Sequence, residues 1–373
     1  MIQSSERVGF RAQQFDWALF LGIAAIAICG VVNLYSATSV YFEAARHSGL
    51  ADVYTAQLYW LLIGALAAGA ITVVDYRHFE RLAYFLYAGG VVSLILVFVL
   101  GADIRGSSRW ITLGSFNFQP SEFVKIVLIL AIAKYLHDDP KTEPRTLVDL
   151  APPAFLTVLP VALVIVQPDL GTSVIYLLTV ASVLSMTKLK KRSLLLLGAG
   201  TGVLLPLVWR YGMRDYQRAR VTSFLDPEHD RTGAGWHAFQ SRTAIGNGGP
   251  WGEGYMQGTQ NQFGFLPDQH SDFPFAVFAE DWGFFGSLLL LAVYCFVAIW
   301  ALHVASQSKD RFGAAVAVGV GAMFFWQTIA NVGMAMGLLP VVGITLPLFS
   351  YGGSSVITIL MGLGLLMNVS MRR

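Results

Sequence analysis

Three carboxylates, Asp272, Glu280 and Asp281, follow Asp268 into the apolar part of one stretch of the chain, LPDQHSDFPFAVFAEDWGFFG, from Leu266 to Gly286. Asp272 precedes Pro274, and proline suits the first turn of a helix because its missing N–H costs nothing there. A carboxylate just outside a helix start is favoured by the positive end of the helix dipole. That makes Asp272 a candidate general base, ionised and reachable by a substrate proton. An ordinary N-terminal cap would use the same residue type. Glu280 and Asp281 lie roughly 12–14 Å further along a helix rising 1.5 Å per residue. That is too deep to share a small reaction centre with Asp272 unless the helix breaks. Hydrogen bonds to neighbouring helices or buried water are their expected role.

Cationic chemistry is offered elsewhere. Glu122 and Lys125 in QPSEFVK are one helical turn apart and therefore share a helix face. An ionisable group inside an apolar span costs about 2.5–3.5 kcal/mol on insertion scales, and it ordinarily faces a partner or a wet cavity. Two readings stand side by side: a private ion pair within the bundle, or a cation presented to an anionic headgroup. In RDYQRAR, the guanidinium groups of Arg214, Arg218 and Arg220 suit paired hydrogen bonds to phosphate or carboxylate. A solvated face beside the membrane would look the same. The glycines of GNGGPWGEGYMQG permit close approach of the backbone to a ligand.

The elements that must position these groups follow from composition. The chain has 373 residues, 55% hydrophobic and 13% charged. A soluble domain carries about 25% charged residues, so this balance belongs to an all-α polytopic membrane protein. Apolar runs predict ten spans near 16–38, 54–74, 80–101, 121–137, 151–167, 170–187, 192–212, 273–305, 310–338 and 347–369. Only QPD separates the fifth from the sixth, which predicts a tight hairpin. The first span reads as an uncleaved helix and not as a removable signal peptide. With neither an internal repeat nor a low-complexity linker, 1–373 reads as one domain. A net charge of +2 gives no reason to expect a nucleic-acid partner. Cys29 and Cys295 both lie in apolar runs and read as packing residues.

Basic residues in short loops, above all TKLKKRS, place both termini in the cytoplasm. Four unusual segments then share the outer face: Arg105–Lys125, Gln167–Ser173, the long loop at about 213–272, and Gly337–Ser355. Their Gly, Gln, Ser and aromatic content distinguishes them from the inner loops and predicts one site at one membrane surface.

The blocks QPSEFVK, QPDLGTS, YQRARVTSFLDPEHD, GAGWHAFQS, AIGNGG, FLPDQHSDF and LPLFSYGGSS, in this order, resemble the SEDS (shape, elongation, division and sporulation) family along essentially the whole chain. YMQGTQNQ and LLPVVG are closer to its elongation branch than to its division branch. The resemblance implies a peptidoglycan glycosyltransferase in the bacterial cytoplasmic membrane that polymerises lipid II on the extracytoplasmic side. It implies Asp272 as the essential acid, with substrate contacts from Ser121, Glu122 and Lys125 of the QPSE–K block. Arg109 falls in the RW block, and Gln217 and Arg220 in YQxxR. In the implied reaction, the 4-hydroxyl of an acceptor GlcNAc attacks the MurNAc anomeric carbon of the donor and expels undecaprenyl pyrophosphate. No cofactor is needed, although a divalent cation could assist the pyrophosphate. No strong metal-ligand constellation is visible. The implied partner is a class B penicillin-binding protein, a transpeptidase, within an elongation complex. A lipid II flippase or a division-type polymerase is the alternative. Glu253, Pro274, Asp281 and Trp282 depart from the usual family pattern, so neither the 253 turn nor the deep acids are expected to be catalytic.

Overall fold

The computed structural model describes residues 15–39, 53–104, 107–113, 116–139, 141, 143–213, 215–225, 234–266 and 268–373. Each of the ten expected apolar runs forms a helix: α1 (Trp17–Ser39), α2 (Val53–Val73), α3 (Tyr76–Leu100), α4 (Pro120–Asp138), α5 (Ala151–Val166), α6 (Leu170–Leu184), α7 (Lys191–Leu207, continued by a π-helical turn Val208–Gly212), and then α11 (Pro274–Ser306), α12 (Arg311–Ala335) and α13 (Gly353–Met371). Among the described residues, seven helices are long and apolar enough to cross a membrane: α1, α2, α3, α5 with its preceding turn, α11, α12 and α13. The protein is thus a predominantly helical, multi-pass membrane protein.

Packing runs from the inside out. α13 and α12 form the centre, α13 lying against α2, α12 and α4, and α12 against α11, α6 and α4. Apolar side chains gain nothing by leaving lipid for a lipid-like interior, so close helix contact depends on small residues and dispersion. Gly364 of α13 is such a point. A Cβ there would stand 2.7 Å from Ala68 Cα, so only glycine lets α13 reach α2. At the start of α1 the buried Asp16 ties three elements together. It accepts hydrogen bonds from Leu19 N (3.1 Å), Trp300 Nε1 of α11 (2.8 Å) and Ser370 Oγ of α13 (2.5 Å).

Two expectations need correction. The chain is not all-α: between α3 and α4 it forms an antiparallel sheet of β1 (Ala102–Ile104), β2 (Ser107–Leu113) and β3 (Phe116–Phe118), in that order. Thr112 pairs with Asn117 in its register. Trp, Ile and Thr favour strands, and Gly-Ser between the second and third runs is a hairpin signal. β1 and β3, three residues each, are too short to show a period-two pattern, and the seven residues of β2, SSRWITL, do not alternate polar with apolar. Nor is 213–272 a plain loop, since it contains α8 (Asp215–Leu225), α9 (Ala234–Asn247) and the single turn α10 (Thr259–Gln262).

Candidate active site

The four segments singled out in the sequence do meet. They line one open cavity of about 300 Å³ with Arg109, Glu122, Lys125, Asp169, Arg220, Asp272 and the run from Val342 to Thr345 among its walls.

α4 begins at Pro120, with Gln119 at the cap position. Its first turns place Glu122 and Lys125 together, Nζ to Oε2 2.7 Å, both side chains almost fully buried from solvent. An ammonium has three donors, and one faces Glu122, which leaves donors for a ligand in the cavity. A buried pair of this kind is only weakly stabilising, but removing one partner strands a charge.

Arg109 comes from β2 and reaches the α5–α6 hairpin. Its Nε donates to Gln167 O at 3.0 Å, an NH2 group donates to Pro168 O, and Asp169 Oδ2 stands 3.7 Å from the remaining nitrogen. Much of its hydrogen-bonding capacity therefore holds the hairpin. Asp169 in turn caps α6, accepting from Thr172 N at 3.1 Å and Thr172 Oγ1 at 3.0 Å. The hairpin is further pinned by Gln167 Nε2 to Leu94 O, 2.8 Å.

Asp272 is not the helix cap. The cap position of α11 is Phe273, one residue later. Asp272 is partly exposed and lines the cavity. Its backbone carbonyl accepts from Asn331 Nδ2 of α12 at 2.9 Å, and the same nitrogen donates to Ile344 O at 2.7 Å. One fully buried amide thus fixes the acid-bearing segment to the adjacent Val342–Thr345 segment of the cavity wall.

Other expected contacts fall differently. Ser121 is buried, its Oγ accepting from Gln119 Nε2 at 3.2 Å and its carbonyl from Tyr176 at 2.7 Å, and it does not line the cavity. Gln217 is buried on α8, also outside the lining. Arg220, one turn along, does line it. Arg218 is committed to the carbonyls of Trp209 (3.1 Å) and Arg210 (2.8 Å) at the end of α7. Arg105 and Arg214 lie outside the described residues. Among the described residues, no group of three or more His, Cys, Asp or Glu side chains is arranged to hold a metal ion.

The two deep acids serve a separate device. α11 is interrupted at Gly283, whose φ is 67°. The glycine-rich turn from Gly249 to Gly254 occupies the break: Glu253 N donates to Glu280 O (2.9 Å), Gly254 N to Asp281 O (3.2 Å) and Phe284 N to Gly249 O (2.9 Å). A Cβ on Gly283 would collide with the backbone nitrogen of Gly252. These glycines approach a helix, not a ligand. Glu280 accepts from Gln260 N (2.9 Å) and Asn261 N (3.3 Å), while Asp281 accepts from Ser36 Oγ of α1 at 2.5 Å. Both acids thus find partners on neighbouring helices, as expected: Glu280 on the single turn α10 and Asp281 on α1.

The sequence reading left Asp169, Asn331 and Gln327 unassigned. The last two are polar residues four apart in an apolar helix, and that spacing was the available signal.

This architecture, a helical membrane bundle whose polar residues converge on one cavity walled by both acids and cations, defines a class of membrane-embedded protein with an open polar site. The chain matches the FtsW/RodA/SpoVE cell cycle protein family over residues 16–373, and it belongs to that family. It is 37% identical to the peptidoglycan glycosyltransferase MrdB of Escherichia coli K12, over 91% of this chain and 90% of the relative. It is 34% identical to a probable peptidoglycan glycosyltransferase FtsW of Trichlorobacter lovleyi, over 98% and 95%. Among solved structures it resembles a chain from a peptidoglycan synthase complex that coordinates polymerization and crosslinking, with TM-score 0.81, 35% identity and coverage of 95% and 97%.

Proposed function

We propose that this chain is a peptidoglycan glycosyltransferase that polymerises lipid II at the outer face of the bacterial cytoplasmic membrane. The observation that carries the mechanism is one open cavity holding Asp272 together with Lys125, Arg109 and Arg220. An acid reachable from outside the bundle can take a proton, and cations beside it can receive a departing diphosphate.

Asp272 removes the proton of the acceptor's 4-hydroxyl as its oxygen bonds to the donor's anomeric carbon. The bond to undecaprenyl pyrophosphate breaks on the opposite side, so the configuration inverts. Base catalysis of this kind contributes typically ~10²–10⁴-fold. Lys125 and Arg220 stabilise the negative charge that develops on the leaving diphosphate. Arg109 holds the hairpin that carries Asp169 and contributes positive potential. Gln217 and Ser121 support α8 and α4 from behind and do not touch substrate.

In this reading all ten helices span, both termini are cytoplasmic, and lipid tails lie along the bundle surface. The blocks YMQGTQNQ and LLPVVG favour the elongation type, RodA, over FtsW. The likeness to a polymerising and crosslinking complex supports a class B penicillin-binding protein as partner. The test is polymerisation of purified lipid II by the detergent-solubilised chain, with and without such a partner. Glycan strands are expected from the native chain and none from Asp272→Ala that is folded and still binds lipid II. Full polymerisation by Asp272→Ala would remove the base assignment. Translocation of lipid II across vesicles without glycan formation would favour a flippase.

A further inference from the structure

Among the described residues, Gln327 is the one cavity-lining residue with a buried side-chain oxygen that lacks any hydrogen-bond partner. It is 1% exposed. Asn331 stands one helical turn above it on the same face of α12, roughly 6 Å away along the axis. Both amides keep a buried oxygen without a hydrogen-bond partner, but only Gln327 lines the cavity, and the two differ in what they meet. Asn331 donates to the Asp272 and Ile344 carbonyls. Gln327 lines the space shared by Asp272 and Lys125. Nearby hydroxyls are satisfied within the protein: Thr345 pairs with Ser355 at 2.8 Å, and Ser354 donates to Asn117 O at 3.2 Å. Buried amides ordinarily find partners, and an unmet acceptor is expensive to keep. A ligand donor entering the cavity supplies what the protein does not.

The charged wall suits a diphosphate. An uncharged amide suits a different group. A glutamine can accept an N–H and donate to a C=O at once, which matches an acetamido substituent. We infer that Gln327 reads the acetamido group beside the anomeric carbon of the donor sugar. It is a specificity-determining residue for an N-acetylated donor. This rests on the glycosyltransferase reading and deepens it. The donor's acetamido is one carbon from the bond that breaks, whereas the acceptor's is two carbons from the attacking 4-hydroxyl.

The test compares lipid II with two analogues, one de-N-acetylated on the muramyl sugar and one on the glucosaminyl sugar. Native chain with its transpeptidase partner is expected to use the muramyl analogue with kcat/KM lower by about tenfold or more, as a lost buried hydrogen bond predicts. Gln327→Met should lose a similar factor on lipid II, mainly through KM, and should treat lipid II and the muramyl analogue alike within about twofold. A ratio of rates is unaffected by a smaller folded fraction, so a purely structural role would leave the native preference in place. Retention of that preference by Gln327→Met overturns the inference, and collapse of preference only on the glucosaminyl analogue overturns the donor assignment. If Gln327→Met turns over too slowly, displacement of labelled lipid II reads the same ratio as binding, in Asp272→Ala with and without Gln327→Met. Native chain that makes no glycan from lipid II overturns the glycosyltransferase reading itself.

Discussion

Asp272 and the pair Glu280–Asp281 lie within a few helical turns on one segment, yet the fold treats them in opposite ways. Asp272 stands before the helix begins, beside a cavity, with its backbone held and its carboxylate partly exposed. Glu280 and Asp281 stand where the helix is about to break, almost wholly buried, with backbone N–H groups on both oxygens of Glu280 and a serine on one oxygen of Asp281. The lesson is that a carboxylate in a membrane segment is not by itself a sign of catalysis. What separates the two is position: Asp272 stands at the wall of an open cavity, while Glu280 and Asp281 are enclosed by the packed chain.

The largest expected effect separates the two regions by activity. Asp272→Asn should lower the polymerisation rate by ~10²–10⁴-fold. The backbone contact to Asn331 is untouched by this change, and the rate is read per folded molecule. A comparable loss of rate per folded molecule in Glu280→Gln would dissolve the distinction.

Gly283→Ala attacks the other region. Its backbone angle and the neighbouring Gly252 nitrogen leave no place for a methyl group, so a loss of about 3 kcal/mol or more is expected. Thermal unfolding in detergent measures it, with turnover per folded molecule largely retained. A stable Gly283→Ala would mean that the break is incidental.

Lys125 sharpens the comparison because it belongs to both kinds of chemistry. Lys125→Met alone strands Glu122 and should destabilise by about 3 kcal/mol. Adding Glu122→Gln should restore most of the stability and none of the activity. Recovery of activity as well would reduce the pair to packing.

A smaller effect is expected from Glu280→Gln, about 1–2 kcal/mol from weakened bonds to Gln260 and Asn261. The smallest is a pH effect at Asp16, a carboxylate with no reaction to perform. Burial pushes its carboxyl up, but hydrogen bonds from Ser370, Trp300 and Leu19 N with the Arg373 charge outweigh this and leave it lowered. Its contribution to stability is present above the unfolded value near 3.9 and is lost as pH falls through the lowered folded value. Unfolding followed between pH 5 and pH 3 should show a shallower acid loss in Asp16→Asn than in the native chain.

Much of this was legible in the sequence. Long apolar runs give helices because each must satisfy its own backbone in lipid. The segments around Lys125, Asp169, Arg220 and Asp272 announced themselves by polarity in the wrong place. The sheet carrying Arg109 did not, since two of its strands have three residues and the third, SSRWITL, does not alternate polar with apolar. The break at Gly283 was hidden in a continuous apolar run, because the turn that fills it is remote in sequence. Arg109 and Arg218 looked like ligands for phosphate, but local carbonyls claim much or all of their reach. The competition between chain and substrate for a guanidinium is a matter of distance in space. Composition does not record it.

The interruption of α11 has a mechanical consequence. Unbroken, α11 would be a rod of ~50 Å, far longer than the ~30 Å hydrocarbon layer it crosses. Beyond the joint, Phe284–Ser306 measures ~34 Å, a fair match to that layer. The shorter part is tethered to α1 by Asn33 through the Pro274 carbonyl at 2.9 Å, and the longer part to the start of α1 by Trp300 through Asp16 at 2.8 Å, so the joint lets one interrupted helix hold α1 at both ends.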